Sequence, residues 1–175
     1  MSCMLRFTSW FAPACAGQRR TVVERQRALS FGALSLDGRG AASWGECSIV
    51  LKDVAVRSRA TVFEENSVYF CERRMLGVHN PVVPAGYRAT WDNRHRLAAA
   101  KLEPFLQTGT IPEDFAGILL TPASKPRQEG FVEVHIYGPL HRDSIERLVI
   151  RRPKPRADLG MLRELARIVT VETYS

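Results

Sequence analysis

Three residues spaced two apart carry the chemistry that is easiest to read from this chain. In Phe131-Val132-Glu133-Val134-His135-Ile136-Tyr137 apolar and polar residues alternate. That is the period of an extended strand, so Val132, Val134 and Ile136 point to one side while Glu133, His135 and Tyr137 point to the other. A carboxylate, an imidazole and a phenol on one face can line a cleft. The carboxylate stabilises a developing cation or takes a proton, and its neighbours orient a substrate through hydrogen bonds. The same pattern also describes a half-solvated sheet face, where aromatic and charged residues mix across strands. Periodicity does not separate the two.

Other chemical signals are weaker. Gly38-Arg39-Gly40-Ala41-Ala42-Ser43 approximates a dinucleotide fingerprint. Ser43 stands at the third glycine, however, and the segment leads into a strand rather than a helix, so a hairpin turn is expected there. His79, His95, His135 and His141 lack ligand-like spacing with Asp, Glu or Cys, and no metal is expected. No Gly-x-Ser-x-Gly occurs to advertise an acyl-transfer nucleophile. Cys3, Cys15, Cys47 and Cys71 are far apart, with no Cys-x-x-Cys, and read as reduced thiols rather than a zinc site or disulfide framework. Arg151-Arg152-Pro153-Lys154-Pro155-Arg156 reads as a proline-stiffened connector, with a phosphate contact as the alternative.

The elements that must position Glu133 follow from pattern and punctuation. Ser30–Leu36 and Glu46–Lys52 are expected strands flanking the turn Asp37-Gly38-Arg39-Gly40, and Arg59–Phe63 is a candidate third. Pro81 and Pro84 mark a loop. Trp91, Arg94, His95, Ala98, Leu102 and Phe105 recur at helical spacing, with Thr90 placed to cap. Gly117–Thr121 is expected as a short strand and Pro122–Gly130 as a loop. Asp143 and Glu146 have capping-box spacing, with a Leu148–Ile150 strand after them. Leu162, Leu165, Ala166 and Val169 give a last amphipathic helix. The class is therefore α+β, with mixed, mainly antiparallel sheet and flanking helices. Residues 1–29 are expected as a basic arm, and 30–175 as a single domain.

Size and charge bound the function. A chain of 175 residues with 45% hydrophobic content fits one domain with a substantial core. No stretch has the run of about 20 apolar residues that a spanning helix requires, so no membrane association is expected. The charged start and apolar run near Met1–Ala16 are weak for a secretory leader, which favours the cytoplasm, of the producing cell or of a target cell. The net charge of +7 is uneven: residues 1–30 and 142–156 are each +4, 31–141 are balanced and 157–175 are −1. The middle of the chain need not be a polyanion track.

Two stretches carry a family resemblance. Trp44-Gly45-Glu46-Cys47-Ser48-Ile49-Val50-Leu51-Lys52-Asp53, continued by Val56, Arg57, Arg59-Ala60-Thr61 and Asn66-Ser67, resembles a segment of bacterial ADP-ribosyltransferase-like toxin domains. There it reads as aromatic-glycine, a strand ending in Leu-Lys, then Arg-x-Thr and Asp-Ser. Phe131 to Leu140, with Ile145-Glu146, resembles that group's glutamate-bearing strand, followed by Gly-Pro and a short helix. With the Phe31-Gly32-Ala33-Leu34 strand, the likeness spans roughly residues 30 to 150.

The resemblance implies a split-sheet fold and NAD as a substrate, transferred as ADP-ribose to a macromolecular or other nucleophile. It implies that Glu133 holds the nicotinamide ribose and stabilises the oxocarbenium-like state, a problem shared with glycosidase carboxylates. His135 is the second candidate catalytic residue, and Arg59, Thr61, Ser67 and Tyr137 are the candidate NAD-binding residues. The family's Asp before Ser is Asn66 here, and its NAD-clamping first strand has no counterpart, residues 1–29 standing in its place. The competing readings are a metal-independent ribonuclease toxin and an inactive interaction module. In the ribonuclease, Glu133 and His135 or His141 act as base and acid while Arg147, Arg151 and Arg152 hold phosphates.

Overall fold

A computed structural model describes residues 2–5, 29–40, 45–76, 84–121, 129–151 and 157–174. Its elements, in chain order, are β1 (Ser2–Leu5), β2 (Leu29–Ser35), β3 (Cys47–Leu51), α1 (Asp53–Val56), β4 (Ala60–Phe63), α2 (Ser67–Arg73) and β5 (Arg88–Thr90). They continue with α3 (Arg94–Leu102), α4 (Phe115–Leu119), β6 (Leu120–Thr121), β7 (Gly130–Phe131), β8 (Glu133–Tyr137), β9 (Ile145–Arg151), α5 (Ala157–Ala166) and β10 (Thr170–Tyr174). Eight strands form one sheet in the order β10-β9-β3-β1-β2-β8-β4-β5, and β6 pairs with β7 separately. Every pairing is antiparallel except β9 with β10, which α5 joins as a crossover. The α+β class with a mainly antiparallel sheet is thus present. Eight of the ten described strands run in one hydrogen-bonded order rather than in two half-sheets.

The alternation read along residues 131–137 sorts the two faces. Val132, Val134 and Ile136 have no exposed surface. They pack with Leu34, Leu51 and Val62 against Trp91, Leu97, Ala98, Leu102 and Leu119, so α3 and α4 cover this face. Trp91 is anchored by its indole N–H, which donates to Asp53 Oδ1 at 2.7 Å, and the Arg94 guanidinium lies over its ring. The opposite face carries Glu133, His135 and Tyr137. There α2 lies across the sheet, with Phe70 packed edge-on against Phe63 at 4.9 Å between ring centroids.

Several expectations are corrected. Ser2–Leu5, expected in a peripheral arm, is an interior strand paired with both β2 and β3. It follows that the segment after β2 is not a hairpin: β2 and β3 run parallel to each other on either side of β1, and their connection must cross it. Gly38 does adopt the left-handed φ of +78° that a turn needs, and Ser35 Oγ and Asp37 Oδ1 accept the N–H groups of Gly38 and Arg39. Residues 117–119 of the expected 117–121 strand are helical, within α4, and only 120–121 are extended; a short apolar run fits either state and contact with α3 decides it. Glu146 lies inside β9, so no capping box forms with Asp143. Thr90 makes no side-chain cap; its Oγ1 accepts from Asn93 Nδ2. The expected strand 131–137 breaks at Val132, since Phe131 pairs with Leu120 of β6. The remainder of the expected arm, residues 6–28, and most of the Arg151–Arg156 connector lie outside the described residues.

Candidate functional site

Strand β8 is interior, flanked by β2 and β4, and its register sets the neighbours of each polar side chain. Glu133 stands opposite Ala33 on β2 and Phe63 on β4; His135 stands opposite Phe31 and Thr61. Directly opposed residues in an antiparallel pair share a face, so Ala33, Phe31, Phe63 and Thr61 surround the two candidate catalytic side chains. On the β2 side Glu133 meets only a methyl group, and Ala33 is half-buried.

Glu133 is 5% exposed. A carboxylate this deep is costly unless donors replace water. Two do so, both at Oε2: the backbone N–H of Ser67 at 2.8 Å and Nε2 of His135 at 2.9 Å. Facing an ionised carboxylate, Nε2 carries the ring proton. Oε1 has no donor among the described residues and is not among the side-chain atoms sealed from solvent without a partner. One oxygen is thus held by the protein while the other has no donor among the described residues.

Ser67 is in position because Asn66 starts α2. Its side-chain oxygen accepts the N–H groups of Val68 (3.1 Å) and Tyr69 (3.3 Å), which leaves the Ser67 N–H to point at Glu133. Asn66 therefore caps as an aspartate would, without adding a second negative charge beside Glu133. The His135 ring is fixed by aromatic contacts, edge-on to Phe31 at 5.1 Å and stacked on Phe63 at 6.1 Å. Thr61 Oγ1, on the next strand, is buried with no hydrogen-bond partner among the described residues.

The structure brings Thr61, Ser67, Glu133 and His135 together, with Ser67 engaged through its main chain. Tyr137 shares their face but lies two residues along, opposite Leu29, and is about half exposed. Arg59 stands apart from Glu133. Its Nε donates to Ala55 O at 2.7 Å, and NH1 donates to Tyr137 O and Pro139 O, both at 2.8 Å. All three acceptors are main-chain carbonyls, so Arg59 fixes the turn that ends β8. Gly138, at φ +80°, lets the chain pass beside that guanidinium.

In the ribonuclease reading the Glu133–His135 pair is in contact, whereas the other residues assigned to it lie elsewhere. Arg147 lies on β9, four strand positions from β8, which is roughly 19 Å at the usual strand spacing. It is paired with Glu146 and Glu172. His141 is exposed in the segment after β8, and Arg152 lies outside the described residues.

Two participants were not legible. Phe31 and Phe63 hold His135 through pairings between strands distant in sequence, and no local pattern announces them. Asn66 could have been found, since Asn followed by a short amphipathic run is a helix-start signal. Comparison of this chain with protein-family models, with curated proteins and with solved structures finds no match.

Proposed function

We propose that this domain binds NAD over the Glu133 face and transfers ADP-ribose to a nucleophile on a macromolecule. What carries the reading is the divided carboxylate of Glu133, with Oε2 held by Ser67 N–H and His135 Nε2 and Oε1 without a donor among the described residues. A ribose hydroxyl donating to Oε1 would sit against a fixed negative charge. As the bond from the ribose C1′ to the nicotinamide nitrogen breaks, its electron pair leaves with neutral nicotinamide and positive charge grows on the ribose. A pre-placed carboxylate stabilises that charge with little reorganisation. The acceptor then gives a lone pair to C1′ and releases its proton. In this scheme Glu133 contacts the substrate, and His135 and the α2 N-terminus position it. Thr61 and Tyr137 lie along the same face as further substrate contacts, and Arg59 supports the end of β8.

The test uses the full chain with adenylate-labelled NAD and a lysate of candidate acceptors. Glu133→Gln keeps the side-chain shape and an acceptor for Ser67, so its melting temperature serves as the control for folding. Label transfer is expected to fall about 100- to 1,000-fold, the usual cost of removing an electrostatic stabiliser of this kind. Equal labelling by parent and variant at equal stability would end the enzyme reading.

A further inference from the structure

The segment between α3 and α4, residues 103–114, is built in an unusual way for a surface connector. Phe105, Leu106 and Ile111 are 59%, 47% and 52% exposed, although all three fall within seven residues. Nothing in the local fold requires them to be apolar, because polar and main-chain bonds close the segment. Thr110 N donates to Gln107 O at 3.0 Å and Gln107 N donates to Thr110 Oγ1 at 2.9 Å. Ile111 N donates to Asp114 Oδ2 at 3.1 Å, and Asp114 N returns a bond to Ile111 O at 3.0 Å. These closures bring Leu106 and Ile111 to the two flanks of one tight turn and hold them there, so a partner would meet a surface with little left to order.

Charge indicates which partner. No Lys or Arg occurs between Leu102 and Thr121, while Glu103, Glu113 and Asp114 are all exposed. Glu103 and Glu113 make no ion pair among the described residues. On a chain of net charge +7 this is a local acidic rim around exposed apolar groups. Lys101, two residues before the segment begins, donates through Nζ to Glu64 O at 2.9 Å and to Phe131 O at 3.2 Å. These carbonyls follow β4 and precede β8, so the connector leaves the core at the Glu133 end of β8, on the face that α3 and α4 cover.

We infer that residues 103–114 dock a basic segment of a partner protein that inserts apolar side chains between Phe105, Leu106 and Ile111. Resting on the function proposed above, this surface holds the acceptor at the Glu133 end of the sheet. Carboxylates at the rim speed and orient the encounter, and the three apolar side chains hold the complex.

The experiment measures binding of the full chain to a synthetic amphipathic peptide of lysine and leucine, against the same peptide with glutamate for lysine. Leu106→Ser with Ile111→Ser is compared with the parent, with the melting temperature as the folding control. The basic peptide is expected to bind, the acidic one not, and the double variant to bind about tenfold more weakly or worse. Glu103→Lys with Glu113→Lys should also flatten the salt dependence. Binding of both peptides alike, or variant binding within about twofold of the parent, overturns the inference. So does sedimentation showing that the parent self-associates through this surface while the double variant is monomeric, since the occupant would then be a second copy. The readout needs no NAD: peptide binding can fail while Glu133-dependent transfer stands, and the reverse.

Discussion

At the scale of single residues, two donors among the described residues hold one oxygen of Glu133 and none holds the other. His135 is the part of this arrangement most open to isolation, because its ring is packed as an aromatic between Phe31 and Phe63. Phenylalanine at 135 keeps that packing and removes the N–H. His135→Phe is expected to lower kcat for NAD cleavage about 10- to 100-fold with little change in KM, the weight of a hydrogen bond to a charged group. Steady-state kinetics check this, and a change confined to KM would instead make His135 a ground-state contact. Lys101 supplies a second prediction. Burial lowers its pKa from 10.5, against an opposing pull from Glu64 and Glu65. The folded chain therefore releases this proton at a lower pH than the unfolded chain does. Between the lowered value and 10.5 the unfolded state binds more protons, so stability contributed at this site rises with pH. The difference in unfolding free energy between parent and Lys101→Met should shift in favour of the parent as pH climbs toward 10.5, read by denaturant titration at several pH values. A pH-independent difference would contradict this.

At the scale of elements, α2 matters most, and it was the least visible. The strand 133–137 could be read from alternation, because every second residue from Val132 is driven into one core. The seven residues of α2 span only two turns, too few for a 3.6-residue period to stand out, and what fixes them is contact: Phe70 on Phe63, and Glu133 on the Ser67 N–H. The likeness to Asp-Ser drew notice to Asn66 as a missing charge, whereas its role in the fold is to cap. Asn66→Ala should cost about 1 kcal/mol of stability. It should also lower activity beyond that effect, because the Ser67 N–H loses its aim. Thermal unfolding and NAD cleavage measured together decide this; unchanged activity would separate α2 from the site. Strand β10 was missed for a different reason. Val169 fits the helical spacing of Leu162 and Leu165, and the pairing of Thr170–Tyr174 with β9 is a decision made by the sheet.

At the scale of the whole molecule, the sheet order could not be read from the chain. A four-residue strand, Ser2–Leu5, joins β2 to β3, so both halves of the sheet depend on a segment that looks peripheral in sequence. Removing it would leave β2 and β3 with unpaired edges in the middle of the fold. A chain beginning at Leu29 is accordingly expected to lose cooperative unfolding, monitored by circular dichroism and protease resistance. A truncated chain as stable as the parent would show β1 to be dispensable. Along the sequence the positive charge is carried by segments 1–30 and 142–156, while residues 31–141, which hold Glu133, are balanced.

The most direct measurement is the rate of nicotinamide release from NAD by the full chain and by Glu133→Gln, at saturating NAD and with melting temperatures matched. Release by the parent and a loss of about 100-fold or more in the variant are expected. Equal release by two equally stable proteins, or none from either, would contradict this.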